Sequence, residues 1–333
     1  MSFNFGTVSS PSDAILTLNS PNAPFAAWDN PQYTTSDNDP VTFLVVAQNL
    51  IQTSCVFKAA LTGPWKEGVV TEDGVKNLEA EGWDSEAMRI VLSAIHHRTK
   101  DIPRRVTLEM LCKIAVLVDY YELHDSLFFF LHLWINDLQS PLPKVHGRDL
   151  ILWICITSIF TSATIHEAVT SVAISHCPGE FRTLDLPIPG RVENLINTRR
   201  EAALSQLIAS LNDIKGKLLE DTSRCSFECR SAHLGALIIH MHDERLLDGA
   251  IEPPFEGRSV ADTVKRIRAM RSPSKDWHVQ TSTDSLCELS LRSVTETALK
   301  AIDAIQGLEL DDVDDYLVIN STKKGKRGKG RNC

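Results

Sequence analysis

The sequence holds no G-x-S-x-G elbow, no G-x-x-x-x-G-K-[ST] phosphate loop and no G-x-G-x-x-G turn. Serine hydrolases, P-loop enzymes and dinucleotide enzymes of the common kinds are therefore left without a local signature here. No apolar run approaches the roughly 20 residues that a membrane-spanning helix needs. The two most apolar stretches, SLFFFLHLWI (126–135) and LILWICITSIF (150–160), are set apart by prolines and charges and read as buried helices. MSFNFGTVSS offers neither the basic nor the apolar segment of a secretory signal, so none is expected. Eight cysteines without such a signal read as reduced thiols, with nucleus and cytoplasm as the expected compartments. Cys333 does not stand fourth from the end, where a prenylation box needs it. No internal repeat with a period of about 20–50 residues is found.

Acid outweighs base over most of the chain, except in one place. The formal net charge is −9, yet KKGKRGKGR carries Lys323, Lys324, Lys326, Arg327, Lys329 and Arg331 with no acid among them. Taking these six away leaves the rest of the chain at −15. Such an acidic body repels phosphates, so non-specific nucleic-acid binding is not expected of it. The basic run reads as an import signal, as an arm attracting nucleic acid, or as a solvated tail. Its glycines and its lack of apolar residues predict disorder on any of these readings. Asp311, Asp312, Asp314 and Asp315 precede it, so 309–333 is expected to be an acidic-then-basic disordered tail. Residues 1–11 are expected to be disordered as well.

What is present belongs to an ordinary globular protein. With 333 residues, 43% apolar and 23% charged, the chain can bury a sizeable core and suits two domains. AILTL (14–18) and VTFLVV (41–46) predict two strands that pair across a loop rich in Pro, Asn, Asp and Ser. NLIQTSCVFKAAL (49–61) predicts one helix with Leu50, Cys55 (or Ser54), Phe57 and Leu61 on its apolar face, ended by Gly63–Pro64. A strand over 75–82 follows, then helices over 85–97 and from Leu108, the latter capped by Thr107. Asp125 is expected to cap the next helix, and 139–149 reads as a linker. Beyond it helices dominate. The segment 191–220 aligns Val192, Leu195, Leu204, Leu207, Leu211, Ile214 and Leu218, Ser259 caps a further helix, and a last one runs to Gly307. The order predicts an α/β (α+β) domain over 12–138 and an all-α region over 145–308.

Few residues are arranged for chemistry. HEAVT (166–170) resembles a zinc-protease HExxH, but Thr170 replaces the second histidine, so His166–Glu167 read as a partly exposed polar pair. Cys225, Cys229 and His233 recur four apart and share a helix face, and Cys287 supplies a fourth zinc ligand from a distant segment. His278 and Asp284 compete for that fourth place. The same thiols equally read as small buried hydrophobes. His96–His97 read as a helix end that favours positive charge. Phe128, Phe129 and Phe130 with Trp134 cover more than one helix face and belong to core or interface. In GPWKEG (63–68), Trp65 covers the preceding helix end as loop packing or meets a partner, while Lys66 and Glu67 stay in water.

The run of positions Phe43, Leu50, Ser54, Phe57 and Leu61, following a strand pair opened by Asp13, resembles the BTB/POZ domain. GPWKEG, the IHH of 95–97, VDYYE (118–122), Trp134–Ile135, LPIP (186–189) and Cys225, Cys229, Leu234–Gly235 are similar to a group of fungal BTB-domain proteins. The resemblance covers roughly residues 12–310. It implies a non-catalytic interaction module that self-associates or docks a protein partner, with those five residues as the core of the central helix. A cullin-type ubiquitin ligase is the implied scaffold for an adaptor of this kind. Two departures stand out. Val46 and Ala47 occupy the places of the family's histidine and basic residue, which puts corepressor recruitment in doubt, and Asp284 stands where the fungal group has a histidine, which weakens zinc. A nuclear transcription-associated regulator using the basic tail is the alternative, and a zinc-containing enzyme a third reading. No other cofactor is implied.

Overall fold

Alternation of apolar and polar residues builds the sheet. In β2 (Ala14–Asn19) and β3 (Val41–Val45), every second side chain is buried, giving one face made of Ala14, Leu16, Leu18, Val41, Phe43 and Val45. The two pair antiparallel, Leu16 opposite Phe43, and β4 (Lys76–Glu81) joins β2 in parallel with Leu78 opposite Leu16. A fourth strand, β1 (Phe3–Thr7), runs parallel to the outer edge of β3, giving the order β1-β3-β2-β4. Residues 3–7 thus depart from the expected disorder, because the open edge of β3 offers backbone groups that a fourth strand can satisfy. The computed structural model describes residues 3–7, 12–28, 39–64, 66–68, 74–160, 162–220, 227–246, 252–273, 296 and 305–309.

The expected helix 49–61 is two helices, α1 (Ala47–Thr53) and α2 (Cys55–Thr62), broken at Ser54, whose backbone is extended. The break is held by one hydroxyl. Ser54 Oγ donates to the Tyr121 carbonyl at 2.7 Å and accepts from the Phe57 amide at 3.0 Å, so it caps α2 while tying it to a distant turn. Asp13 does comparable work at the other end, its carboxylate accepting from the Ala47 amide at 2.6 Å. Phe43, Leu50, Phe57 and Leu61 are buried, as is Ser54, whereas Cys55, expected on the same face, is half-buried. After α2 the chain folds back closely enough that a Cβ on Gly68 would stand 2.5 Å from the Gly63 carbonyl oxygen.

Helices α3 (Ser85–Ile95), α4 (Leu108–Tyr120) and α5 (His124–Leu138) follow, α3 and α4 capped by Asp84 and Thr107. Asp125 lies inside the first turn of α5 and is not its cap; the helix starts two residues earlier than expected, at His124 after Leu123. At the end of α3, His96 is buried and neutral in character. Its Nδ1–H donates to the Leu92 carbonyl at 2.8 Å and its Nε2 accepts from the Val46 amide at 2.9 Å, while burial lowers its pKa. The positive charge expected at this helix end is therefore not carried by His96, because the ring is consumed in joining α3 to the sheet.

The residues read as a linker, 139–149, do not divide the core. Helix α6 (Arg148–Ile159) packs on α4, and one apolar core runs from Ala14 through α6 and α7 (Ala163–His176) to Ile196. Arg148 spans the expected boundary, donating to the carbonyls of Phe25 and Ala26 and pairing with Glu109 at 2.9 Å. A second core starts at Leu204 in the long helix α8 (Gly190–Glu220) and extends over α9 (Phe227–Asp243) and α10 (Val260–Arg268). The molecule is an α+β domain joined to a helical region, with the change of core inside α8. Residues 305 and 306 are not helical, and the rest of the expected last helix lies outside the described residues apart from 296. The segment 305–309 packs against α7 and α8, with the Leu308 amide donating to Thr170 Oγ1 at 2.8 Å and Arg199 donating to the Gly307 carbonyl.

His166 is not a partly exposed residue. It is fully buried on α7, its Nδ1 3.0 Å from Thr157 Oγ1, while Glu167 beside it is exposed. The Thr157 hydroxyl donates to the Trp153 carbonyl, so it accepts from the ring and fixes the proton on Nδ1. Nε2 has no hydrogen-bond partner among the described residues, and burial pushes the pKa down from 6.5 to about 4. A folded pKa below the unfolded one means stability is whole above pH 6.5 and is lost as pH falls from 6.5 through about 4. The full loss from this group is on the order of 3 kcal/mol. Denaturant titrations at pH 7 and pH 4.5 are expected to show a smaller acid loss in His166→Phe than in the parent; equal losses would show that the ring is not held neutral.

Candidate protein-docking groove

Helix α5 is apolar on two faces, and only one of them meets the core. Leu127, Leu131, Trp134 and Ile135 are buried, at the three- and four-residue spacing that lines one side of a helix. The expectation that 126–135 is a buried helix fails for the other side, where Phe128 is 64% exposed, Phe129 71% and Leu133 43%. Phe128 lies edge-on to His132 one turn later, with ring centroids 4.3 Å apart, and Phe129 lies edge-on to Phe130 at 5.6 Å. Large aromatic groups left in water on a helix otherwise anchored in the core are the usual anatomy of a protein contact.

Opposite this face runs the segment after α3, a single 3-10 turn (Thr99–Asp101) followed by Ile102–Arg105. Arg98 pairs with Asp101 at 2.6 Å, and Arg89 donates to the Asp101 carbonyl, which hold the turn. Trp134 is the rivet between the walls. Its ring is buried and its Nε1–H donates to the Pro103 carbonyl at 3.0 Å. The groove between the walls has a volume of about 740 Å³. Its floor is apolar, made by Ile102, Pro103, Phe129, Phe130 and Leu133, and its rim carries Lys100, Arg104 and Arg105 against a single acid, Asp137. Arg105 and Asp137 stand 3.6 Å apart and are solvated, so this pair closes the groove only weakly.

A second hollow of about 630 Å³ lies between Phe25, Trp83, Tyr120 and the loop at 184–187. Two of its polar groups are already engaged: Asp84 caps α3 and pairs with Lys113 at 2.9 Å, and Lys113 also pairs with Glu109 at 2.7 Å.

The residues singled out from the sequence fall elsewhere. Trp65 lies outside the described residues, Lys66 belongs to a 3-10 turn with Gly68, and Glu67, expected in water, is half-buried as a residue. Of the zinc candidates, Cys229 and His233 are buried one turn apart on α9, whereas Cys225 and Cys287, with the alternatives His278 and Asp284, lie outside the described residues. Among the described residues no group of three or more His, Cys, Asp or Glu side chains is placed to hold a metal. The basic run from Lys323 to Arg331 is also outside them. Among the described residues no helix is long and apolar enough to cross a membrane.

The groove was half legible. The aromatic run pointed to core or interface; Trp134 is core while Phe128 and Phe129 face solvent, because a helix turns successive side chains to different sides. The basic wall was hidden, since IPRR (102–105) acquires meaning only when Trp134 is bonded to it. Compared with known proteins, the chain matches no family model and no curated protein.

Proposed function

We propose that this chain is a non-catalytic protein-interaction module of the BTB/POZ kind that docks a protein partner in the groove between Thr99–Arg105 and α5. The observation that carries this reading is the solvent-facing Phe128–Phe129–Leu133 surface beside a basic rim, on a helix whose opposite side is core. Support for the BTB/POZ kinship comes from element order. A strand pair, a helical stretch, a further strand and then successive helices follow one another in the order the resemblance implies, although its single central helix is here two, α1 and α2. A cullin-type ligase scaffold is the partner we favour, and the region beyond α6 then presents a second surface for a client.

Affinity purification of tagged full-length chain from a fungal extract tests this, with a Phe129→Ala/Leu133→Ala variant beside it. Both side chains are exposed, so the melting temperature is expected to stay within about 2 °C of the parent. A cullin scaffold is expected with the parent and is expected to drop by ~10-fold or more with the variant, the scale of losing a contact hot spot. No scaffold, or a scaffold indifferent to the variant, overturns the proposal.

A further inference from the structure

We propose that the same groove accepts an acidic segment of a second copy of this chain, residues 309–319. This rests on reading the groove as a docking site. The chain as a whole is acidic, yet the groove sets three basic side chains against one acid over an aromatic floor. Its complement is an acidic segment with apolar anchors. The sequence contains one: in ELDDVDDYLVI, Glu309, Asp311, Asp312, Asp314 and Asp315 alternate with or precede Leu310, Val313, Tyr316, Leu317, Val318 and Ile319. Opposite charges across such a contact steer association and fix its register.

Reach decides between the chain's own segment and a second copy's. Leu308 is buried and bonded to Thr170 on α7, so the acidic cluster starts three residues from a fixed point and ends seven residues from it. Fully extended, that is about 10–25 Å. Helix α7 packs on α6, α6 on α4, and α4 on the α3–α5 pair that carries the groove, while the start of α5 also meets the end of α6 through His124 and Phe160. Packed helix axes stand roughly 8–10 Å apart, so the path across them is on the order of 25 Å before any detour around the surface. The chain's own cluster spans that path only at full extension, and a neighbouring copy has no such limit. Because groove and segment are different surfaces, the contact is head-to-tail.

Equal amounts of ¹⁴N- and ¹⁵N-labelled full-length chain, treated with a water-soluble carbodiimide, test this directly. The reagent condenses the Lys100 amine with a nearby carboxyl, forming an amide and taking up the water that is lost. Mass spectrometry is expected to find Lys100 joined to the 309–319 segment in mixed-isotope pairs. Arg104→Glu/Arg105→Glu is expected to cut that product ~10-fold or more, and Asp314→Arg/Asp315→Arg in the mixing partner is expected to restore it in part. Links within one isotope only, no link to Lys100, or a link unchanged by charge reversal each overturn the proposal. The result is independent of whether a cullin scaffold co-purifies, so failure here and failure of the docking function are distinguishable.

Discussion

Replacing Arg200 with methionine is expected to lower the stability of the fold by roughly 3–5 kcal/mol, although the new side chain is apolar and of similar length. Arg200 is fully buried in α8 at the point where one core gives way to the other. Its Nε donates to the Cys177 carbonyl at 2.9 Å, Nη1 to Pro254 at 2.8 Å, and Nη2 to Phe255 and Arg258 at 2.8 and 3.0 Å. Four carbonyls from two separate loops thus converge on one planar fork. No other side chain presents that many donors in fixed directions. Burial lowers the guanidinium pKa, but from so high a starting value that the charge persists at neutral pH. Methionine leaves the Cys177 and Phe255 carbonyls buried without donors and those of Pro254 and Arg258 part-buried without them, each costing on the order of 1–3 kcal/mol where water cannot replace the donor. Lysine keeps the charge but has a single nitrogen, and is expected to recover only part of the loss. Urea denaturation checks both variants. A loss below about 1 kcal/mol for Arg200→Met would mean that water or another donor reaches those carbonyls.

Phe57→Ala is expected to cost about 3–5 kcal/mol, the range for emptying a buried aromatic site. Phe57 is buried at the start of α2 and stacks on Tyr121, with ring centroids 4.3 Å apart and planes within 12°. Tyr121 is the residue whose carbonyl accepts from Ser54, so the stack and the hydrogen bond fasten the same turn from two sides. Removing the ring therefore opens more than its own volume. The phenol reports on it. Burial pushes the Tyr121 pKa to about 12, and in the variant it is expected to move back toward 10 as water enters. Chemical denaturation and a spectrophotometric titration of tyrosine measure the two effects. A melting shift near zero would remove α2 from the core.

How far the sequence could be read depends on which interactions are local. The strands at 14–19 and 41–45 and the stripe of α8 follow from periodicity, because burial on one face imposes it. Yet the α8 stripe was read with a gap between Leu195 and Leu204, and Arg200 fills it, four residues from Ile196 and four from Leu204. The position was visible, but arginine there reads as surface until its four carbonyl partners are known. Ser54 is a similar case. Periodicity offered it only as an alternative to Cys55, and the break it makes depends on Tyr121, 67 residues away. His166 looked like half of a metal motif, and its burial comes from α6 packing against α7.

Composition and spacing by themselves determined that this chain builds an α+β unit followed by helices, with no span for a membrane and an acidic body ending in a basic run. Those properties follow from side-chain type and order along the chain. Tertiary structure alone decided that one core continues on both sides of 139–149, that His96 and His166 are neutral parts of the interior, and that one face of α5 stays open beside Lys100, Arg104 and Arg105. Each of these depends on a partner far away in sequence, and a buried charge, a hydrogen bond or a groove exists only when both sides are brought together.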